Sequence, residues 1–429
     1  MELKLNTRRT FFIGFAFFAI LMLWQVYMYY SPLYMQRLLE NRFGEDGDYY
    51  WIIGLVMALD NIFAIFLVAY FGWWSDKTKS RMGRRVPFIL IGGMLSLILF
   101  PYIALMYLLD SFVWYVIMVA LLKLAMIIWR SPSVALMPDI TPKPLRSKAN
   151  AIINFVGYIG AIIGALLTMI FVFDLDNPGT QATSVIPFFI TVFLMLGVLI
   201  MFVMKFDENK VVLEMTPQIE EGEKLAETRE RVVEDQPLSK RDKYNLFIIM
   251  AAVFMTWFAF NALNTFGSLY GTQILGTTNW GLPVAVLAVA SLITFIPSIW
   301  LVKKIGRKNS VMLGLGIIIA SLVAANFVDT LALMVGIFAF SGIGWAIVNV
   351  NTYPMLVEMA SRKNVGMITG VYYIASQSAM AITSVVAGFV FDWLGLEFFF
   401  IYAIIFMSFA FVLCILFKPR RVEKTVHAY

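Results

Sequence analysis

Residues 76–85 read DKTKSRMGRR, one acid and five bases in ten positions. Before them stands DNIFAIFLVAYFGWW (60–74), and after them VPFILIGGMLSLILF (86–100); the two runs share a single charge, Asp60. Two apolar runs of membrane-crossing length joined by a short basic loop are the pattern of a helical membrane protein with that loop in the cytoplasm. The rest of the chain repeats the pattern. Of 429 residues, 14% are charged and 61% hydrophobic, with a mean hydropathy of +0.81; a soluble protein carries roughly 25% charged residues. The runs are continuously apolar and do not alternate over ~10 residues, which excludes a transmembrane β-barrel.

The predicted architecture is an all-α polytopic membrane protein with twelve transmembrane helices. They fall near 10–31, 50–74, 86–109, 112–138, 149–173, 185–205, 244–268, 281–302, 309–327, 330–355, 364–391 and 396–417. The first run is too long for a signal-peptide core and lacks a small-residue cleavage site, so it reads as a retained helix. Residues 206–243 hold eleven acids, several bases and almost no aromatics. They are expected to form a cytoplasmic linker, part helical, between an N-terminal six-helix half (1–205) and a C-terminal half (244–429). With the N-terminus inside, 29 of the 33 Lys and Arg fall on the cytoplasmic side; Arg37 and Arg42 lie outside, Lys123 and Arg130 within a span. Both termini are therefore expected in the cytoplasm, with the protein in the cell membrane. This topology accounts for the net charge of +6 and gives no reason to expect a nucleic-acid partner.

Catalytic chemistry finds little support. Cys414 is the single cysteine, and the single histidine, His427, stands close to the last residue of the sequence, so no Cys/His metal site or nucleophilic pair can form. No phosphate-loop sequence is present, which argues against ATP-driven pumping, and no cofactor is expected.

An internal repeat is visible. PSVALMPDITPKPLRSKANAIINFVGYIGAIIGALL, from 132, parallels YPMLVEMASRKNVGMITGVYYIASQSAMAITSVVAG, from 353, and Asp139 aligns with Glu358. Gly83-Arg84-Arg85 likewise parallels Gly306-Arg307-Lys308, at a similar offset of about 220 residues. Such repeats build secondary transporters, with the substrate site where the two halves meet.

These residues carry a resemblance. GWWSDKTKSRMGRR (72–85) resembles the signature loop between spans two and three of the major facilitator superfamily. With PSVALMPD (132–139), RSKAN (146–150) and VNVNTYPMLVEM (348–359), it is similar to the sucrose–proton symporters and the bacterial glycoside-pentoside-hexuronide type of sugar–cation symporter. The resemblance implies two pseudo-symmetric halves, alternating access and a sugar substrate. It further implies a cytoplasmic gate built from Asp76, Arg81, Gly83, Arg84, Arg85, Asp139, Arg146, Arg307 and Glu358. Departures matter too: the Asp-x-x-x-Asp-Pro of melibiose-type sodium symporters is absent, which speaks against their sodium site. Val134 stands where plant sucrose transporters place an arginine, and Asn264 where bacterial relatives often carry a glutamate.

Three ionisable residues fall well inside the spans: Asp60, Lys123 and Arg130. Each costs about 2.5–3.5 kcal/mol to insert, so a lipid-facing, unpaired position is disfavoured. Asp60 and Lys123 lie at similar depths, roughly 15 Å from the starts of their helices at ~1.5 Å per residue, and can pair. Arg130 lies two turns beyond Lys123 on the same face. Asp60 reads either as a proton carrier, with Lys123 and Arg130 modulating it, or as one partner of a static ion pair.

Sugar hydroxyls need amides, and sugar faces need aromatic rings. The candidates are Trp24, Gln25 and Tyr27 in span one; Asn154 and Tyr158 in span five; Trp257, Asn261 and Asn264 on one face of span seven; Asn349 and Asn351 in span ten; and Gln377 in span eleven. Each could instead be interhelical glue or packing. The leading expectation is a monomeric sugar–proton symporter whose partners are a small-molecule sugar, a coupling proton and the lipid bilayer. The alternative is an exporter of drugs or other metabolites by proton antiport.

Overall fold

The computed structural model describes residues 3–44, 47, 49–175, 177–230, 239–357 and 365–418, and their regular structure is helical throughout. In the N-terminal half stand α1 (Thr7–Phe43), α2 (Tyr50–Lys77), α3 (Val86–Leu108), α4 (Phe112–Asp139), α5 (Arg146–Ile170), the short α6 (Pro178–Thr183) and α7 (Ile186–Lys205). Helix α8 (Glu208–Glu230) follows, then α9 (Lys240–Gln273), α10 (Gly281–Ile305), α11 (Arg307–Ala325), α12 (Leu331–Val357), α13 (Val365–Leu394) and α14 (Phe399–Leu416). Twelve spans are long and apolar enough to cross a bilayer, as expected.

The packing repeats between halves. Helix α1 packs on α5 as α9 does on α13, α3 on α4 as α11 on α12, α2 on α4 as α10 on α12, and α3 on α7 as α11 on α14. The two main contacts between halves, α2 with α13 and α5 with α10, exchange under the same correspondence. Gly83 and Gly306, matched in the sequence repeat, both take a positive φ (102° and 79°) just before their helices begin. A side chain there would be strained.

The predicted spans hold with one large exception, α1, which continues to Phe43 through Pro32. Its extension is buried. Tyr34 stacks on Tyr107 at 3.9 Å and its hydroxyl bonds Ser184 Oγ at 2.7 Å, while Ser31 Oγ meets the Tyr115 hydroxyl at 2.7 Å. The tyrosines of this stretch form an aromatic core.

The two ends of the bundle differ. At the end away from the basic loops, the halves are bonded together. Asp392 of α13 accepts from the backbone N–H of Tyr50 (2.7 Å) and Trp51 (3.0 Å), the first residues of α2. The Tyr50 hydroxyl donates to Gln273 Oε1 at 2.6 Å, and the Tyr29 hydroxyl to the Thr278 carbonyl at 2.5 Å. Helices α2 and α13 approach so closely that a Cβ on Gly54 would lie 1.9 Å from the Ser384 carbonyl oxygen. Toward the basic end, α4 packs on α1, α2, α3 and α5, and α12 on α9, α10, α11 and α13. In these main contacts each stays with helices of its own half.

Candidate functional site

Where the halves meet, α1, α2 and α4 build a box around one cation. Lys123 is 1% exposed, and its Nζ lies 3.4 Å from Asp60 Oδ1, itself 7% exposed as a residue. The same ammonium sits 3.7 Å from the Tyr27 ring centroid and 4.3 Å from that of Trp24. Carboxylate and ring faces replace the water the lysine lost, and a desolvated cation–π contact contributes about 2 kcal/mol. Tyr27 is fully enclosed and turns its hydroxyl to Met57 Sδ at 3.3 Å, so both it and Trp24 belong to the charge box.

Beside the box, Arg130 and Tyr373 come together from the two halves. Arg130 is exposed although it lies deep in α4. It stands two turns from Lys123 and, at ~100° per residue, about half a turn from Leu121, which faces lipid. Tyr373 of α13 is 58% exposed and half a turn from lipid-facing Ile382; it is close enough to Arg130 for an electrostatic interaction across the gap. In the C-terminal half, Val253, Thr256, Trp257, Trp345, Val348, Asn349, Thr352 and Tyr372 line a small recess between α9, α12 and α13. Its floor is aromatic: Trp345 stacks on Phe260 at 3.6 Å and meets Trp257 edge-on at 5.3 Å.

The candidate amides divide into two groups. Gln25, Asn264, Asn349 and Gln377 are partly buried and make no hydrogen bond among the described residues. Others are committed to helix packing. Asn261 donates to Met380 O and Ser384 Oγ, both at 2.9 Å; Asn351 bonds Ile347 O and Asn154 bonds Asn150 O, each one turn back. Tyr158 packs edge-on against Phe295 of α10 at 5.4 Å, part of the contact between halves. Trp345, Thr256, Thr352, Tyr372 and Tyr373 were not singled out by sequence reasoning. Aromatics are so frequent in this chain that only helix rotation separates a lining ring from a packing one.

At the basic end the gate candidates form a network inside the N-terminal half. Arg85 is 4% exposed and reaches Asp139 Oδ2 with Nε at 2.8 Å, Asp76 with Nη2, Ser75 Oγ with Nη1 and the Gly72 carbonyl at 3.3 Å. Arg84 adds a pair with Asp139 at 3.0 Å. Arg146 closes the end of α4 by donating to Thr141 O (3.2 Å) and Pro138 O (3.0 Å). Arg81 points to solvent, Arg307 opens α11 in the C-terminal half, and Glu358 lies outside the described residues. The linker supplies a partner that sequence reasoning missed. Glu208, the first residue of α8, accepts from Arg85 N–H (2.8 Å) and Val86 N–H (2.9 Å), capping α3. A Cβ on Gly83 would strike Glu208 at 2.3 Å, so the loop needs glycine twice over. Asn209 Nδ2 donates to Ser80 O (3.1 Å) and Arg81 O (3.0 Å), and Arg9 of α1 pairs with Glu214.

The sequence matches the family described as MFS/sugar transport protein over residues 29–403. No curated protein matches it significantly. The fold is that of solved transporters. The xylose transporter XylE from E. coli, in its inward open conformation, is 13% identical with a TM-score of 0.75 over 98% of both chains. A bacterial homologue of the human lysosomal transporter Spinster, inward-facing and occupied, is 13% identical with a TM-score of 0.70 over 96% of both. The nucleoside transporter NupG is 14% identical with a TM-score of 0.65, over 96% of this chain and 98% of that one.

Proposed function

The chain belongs to the MFS/sugar transport protein family, a multi-pass secondary transporter and not an enzyme, and from that premise we propose that it carries a sugar into the cell in symport with a proton. The observation that carries the reading is the combination of two features. One is the membrane-embedded Asp60–Lys123 pair. The other is a set of amides without partners among the described residues, Gln25, Asn264, Asn349 and Gln377, of which Asn349 lines the aromatic recess of Trp257 and Trp345. Buried polar groups are ordinarily bonded. Open amides next to ring faces fit hydroxyl groups and the apolar faces of a pyranose.

On this reading the basic end is cytoplasmic and the conformation is inward-open, with the Asp392 cap closing the outer side. Asp60 takes the proton. Protonated, it releases Lys123 from its 3.4 Å pair; ionised, it holds the lysine and the helices carrying both. That gives α2 and α4 two arrangements which the proton chooses between, as alternating access requires. Asp76, Arg84, Arg85, Asp139 and Arg146 keep the basic end of the N-terminal half rigid while it moves, and Arg81 and Arg307 act with Glu358, which lies outside the described residues, as gate residues. The protein works as a monomer, its site formed by the two halves of one chain.

The test is uptake of a panel of radiolabelled glycosides and disaccharides into proteoliposomes, with and without an inward proton gradient. Gradient-driven accumulation of at least one sugar is expected; Asp60→Asn should abolish accumulation while retaining exchange. Trp257→Ala and Asn349→Ala should weaken uptake without loss of folded protein. Accumulation that persists in Asp60→Asn removes the coupling role. Gradient-driven extrusion in place of uptake would establish a proton antiporter.

A further inference from the structure

The ammonium of Lys123 is held in the way a free cation would be held. It reaches the box from α4, while the carboxylate comes from α2 and the two rings from α1. The 3.4 Å to Asp60 Oδ1 is longer than the ~2.7–2.9 Å of a charge-assisted hydrogen bond. Nor does Nζ make a well-formed hydrogen bond to any other described residue. What holds it is the field of one carboxylate and of two ring faces, Tyr27 at 3.7 Å and Trp24 at 4.3 Å. Aromatic faces are the walls of sites that select ammonium ions. Here the guest is a side chain of the chain itself, and it is wholly enclosed.

The charges around this cage leave no place for a further cation. Asp60 acts on Lys123 and also on Arg130, two turns along α4, and Arg130 repels Lys123. One carboxylate in the middle of the spans thus serves two fixed cations. A metal ion arriving here would meet a carboxylate already engaged and two positive neighbours. A proton needs neither space nor a vacant set of ligands; it neutralises Asp60 and frees the ammonium. We propose that Lys123 is a tethered cation filling the place that a coupling metal ion would take, so that cutting the tether uncovers a site for a small primary ammonium ion. Lys123 thereby decides which ion drives transport, excluding sodium and leaving the proton. The inference rests on the symport reading above for its meaning in transport, whereas the site itself rests on the cage alone.

Propylammonium matches, atom for atom, what Lys123→Ala removes beyond Cβ. Thermal unfolding of the full chain in nanodiscs is therefore followed with methylammonium, propylammonium or sodium chloride, at an ionic strength held constant with tetraethylammonium chloride. The wild type should not respond. The lowered midpoint of Lys123→Ala should be restored saturably by propylammonium, at a concentration roughly tenfold below that needed for methylammonium, because two more methylenes are buried. The double variant Lys123→Ala/Asp60→Asn keeps no carboxylate for the guest and should not respond. If the alanine variant fails to fold, Lys123→Ser leaves the same space and gives Asp60 a hydroxyl partner. Sodium acting on Lys123→Ala and not on the wild type also supports the proposal, since the lysine is then what keeps it out. The proposal is overturned if no cation raises the midpoint of the single variants, if the double variant responds equally, or if sodium stabilises the wild type. No solute and no proton gradient enter these measurements. A failed rescue therefore leaves proton symport standing, and failed proton-driven uptake leaves the cage standing.

Discussion

At the end away from the basic loops one carboxylate caps a helix of the other half, and its removal has a calculable result. Helix α2 opens at Tyr49 in a left-handed conformation (φ 52°), with no side chain of its own accepting from the first turn. The free N–H groups of Tyr50 and Trp51 are taken by Asp392 of the other half, at 2.7 and 3.0 Å. Losing an N-terminal cap costs about 0.5–2 kcal/mol, and an anion at a helix N-terminus adds roughly 0.3–1 kcal/mol through the dipole. Since the cap joins the halves, Asp392→Ala forfeits this only in the state that closes this end; when the ends part, water serves α2 in either variant. A net loss of about 1–2 kcal/mol moves the ratio of open to closed by about 5- to 30-fold. The assay is spin-label distance measurement in a Cys414→Ala background, with labels at Leu109 and Phe327, which are 69% and 81% exposed near this end in opposite halves. The long-distance population should grow in Asp392→Ala and grow less in Asp392→Asn, which keeps one acceptor. An unchanged distribution in the alanine variant refutes the argument that this cap sets the balance.

Lys123→Ala and Asp60→Ala should each lower the thermal unfolding midpoint markedly, since a buried charge stripped of its partner costs about 3–5 kcal/mol. The double variant should lose less than the sum of the two. Glu208→Ala uncaps α3 and should cost about 1–2 kcal/mol, read as a lower midpoint and faster proteolysis near residues 78–85. Gly54→Val places side-chain atoms where the Ser384 carbonyl lies 1.9 Å from a Cβ; it should hold this end apart in the same distance assay and stop uptake. Asp139→Asn should destabilise more than Asp76→Asn, because Asp139 serves both Arg84 and Arg85 at 16% side-chain exposure while Asp76 is 55% exposed.

What the sequence disclosed followed from properties that do not depend on helix rotation. Apolar length fixed the spans, Lys and Arg bias fixed the expected sidedness, and counting residues from helix starts brought Asp60 opposite Lys123, as the structure places them. The amides were legible only as a class. Trp257, Asn261 and Asn264 do share a face of α9, yet Asn261 is turned to α13 and consumed by Met380 O and Ser384 Oγ, because a few tens of degrees of rotation decide which neighbour a side chain meets. Glu208 escaped notice for a different reason: in an acid-rich linker nothing marks the one glutamate that folds back onto α3. The end of α1 was placed too early, near 31, because the partners that bury its extension, Tyr107, Tyr115 and Ser184, come from distant helices.

The charged decamer takes on a different meaning from this geometry. As a gate it was expected to act with Asp139 and Glu358; Glu358 lies outside the described residues, and the partners of Arg85 (Asp76, Ser75, Gly72, Asp139 and, through its backbone, Glu208) all lie in the N-terminal half or at the head of α8. These bonds tie α2, α3, α4 and α8 into one body. Among the described residues, hydrogen bonds that join the halves lie at the opposite end and include two backbone N–H groups on Asp392 and two tyrosine hydroxyls. Rocking two bodies about a fixed site needs stiffness within each body and a weak, reversible seam between them. A dense ion-pair network suits the first task, because an arginine with several partners keeps most of its bonds when one yields. A handful of neutral or singly charged contacts suits the second, since water can replace each of them. In the proposed mechanism the basic loop serves transport by making the N-terminal half rigid enough for a small change at Asp60 to move the whole of it.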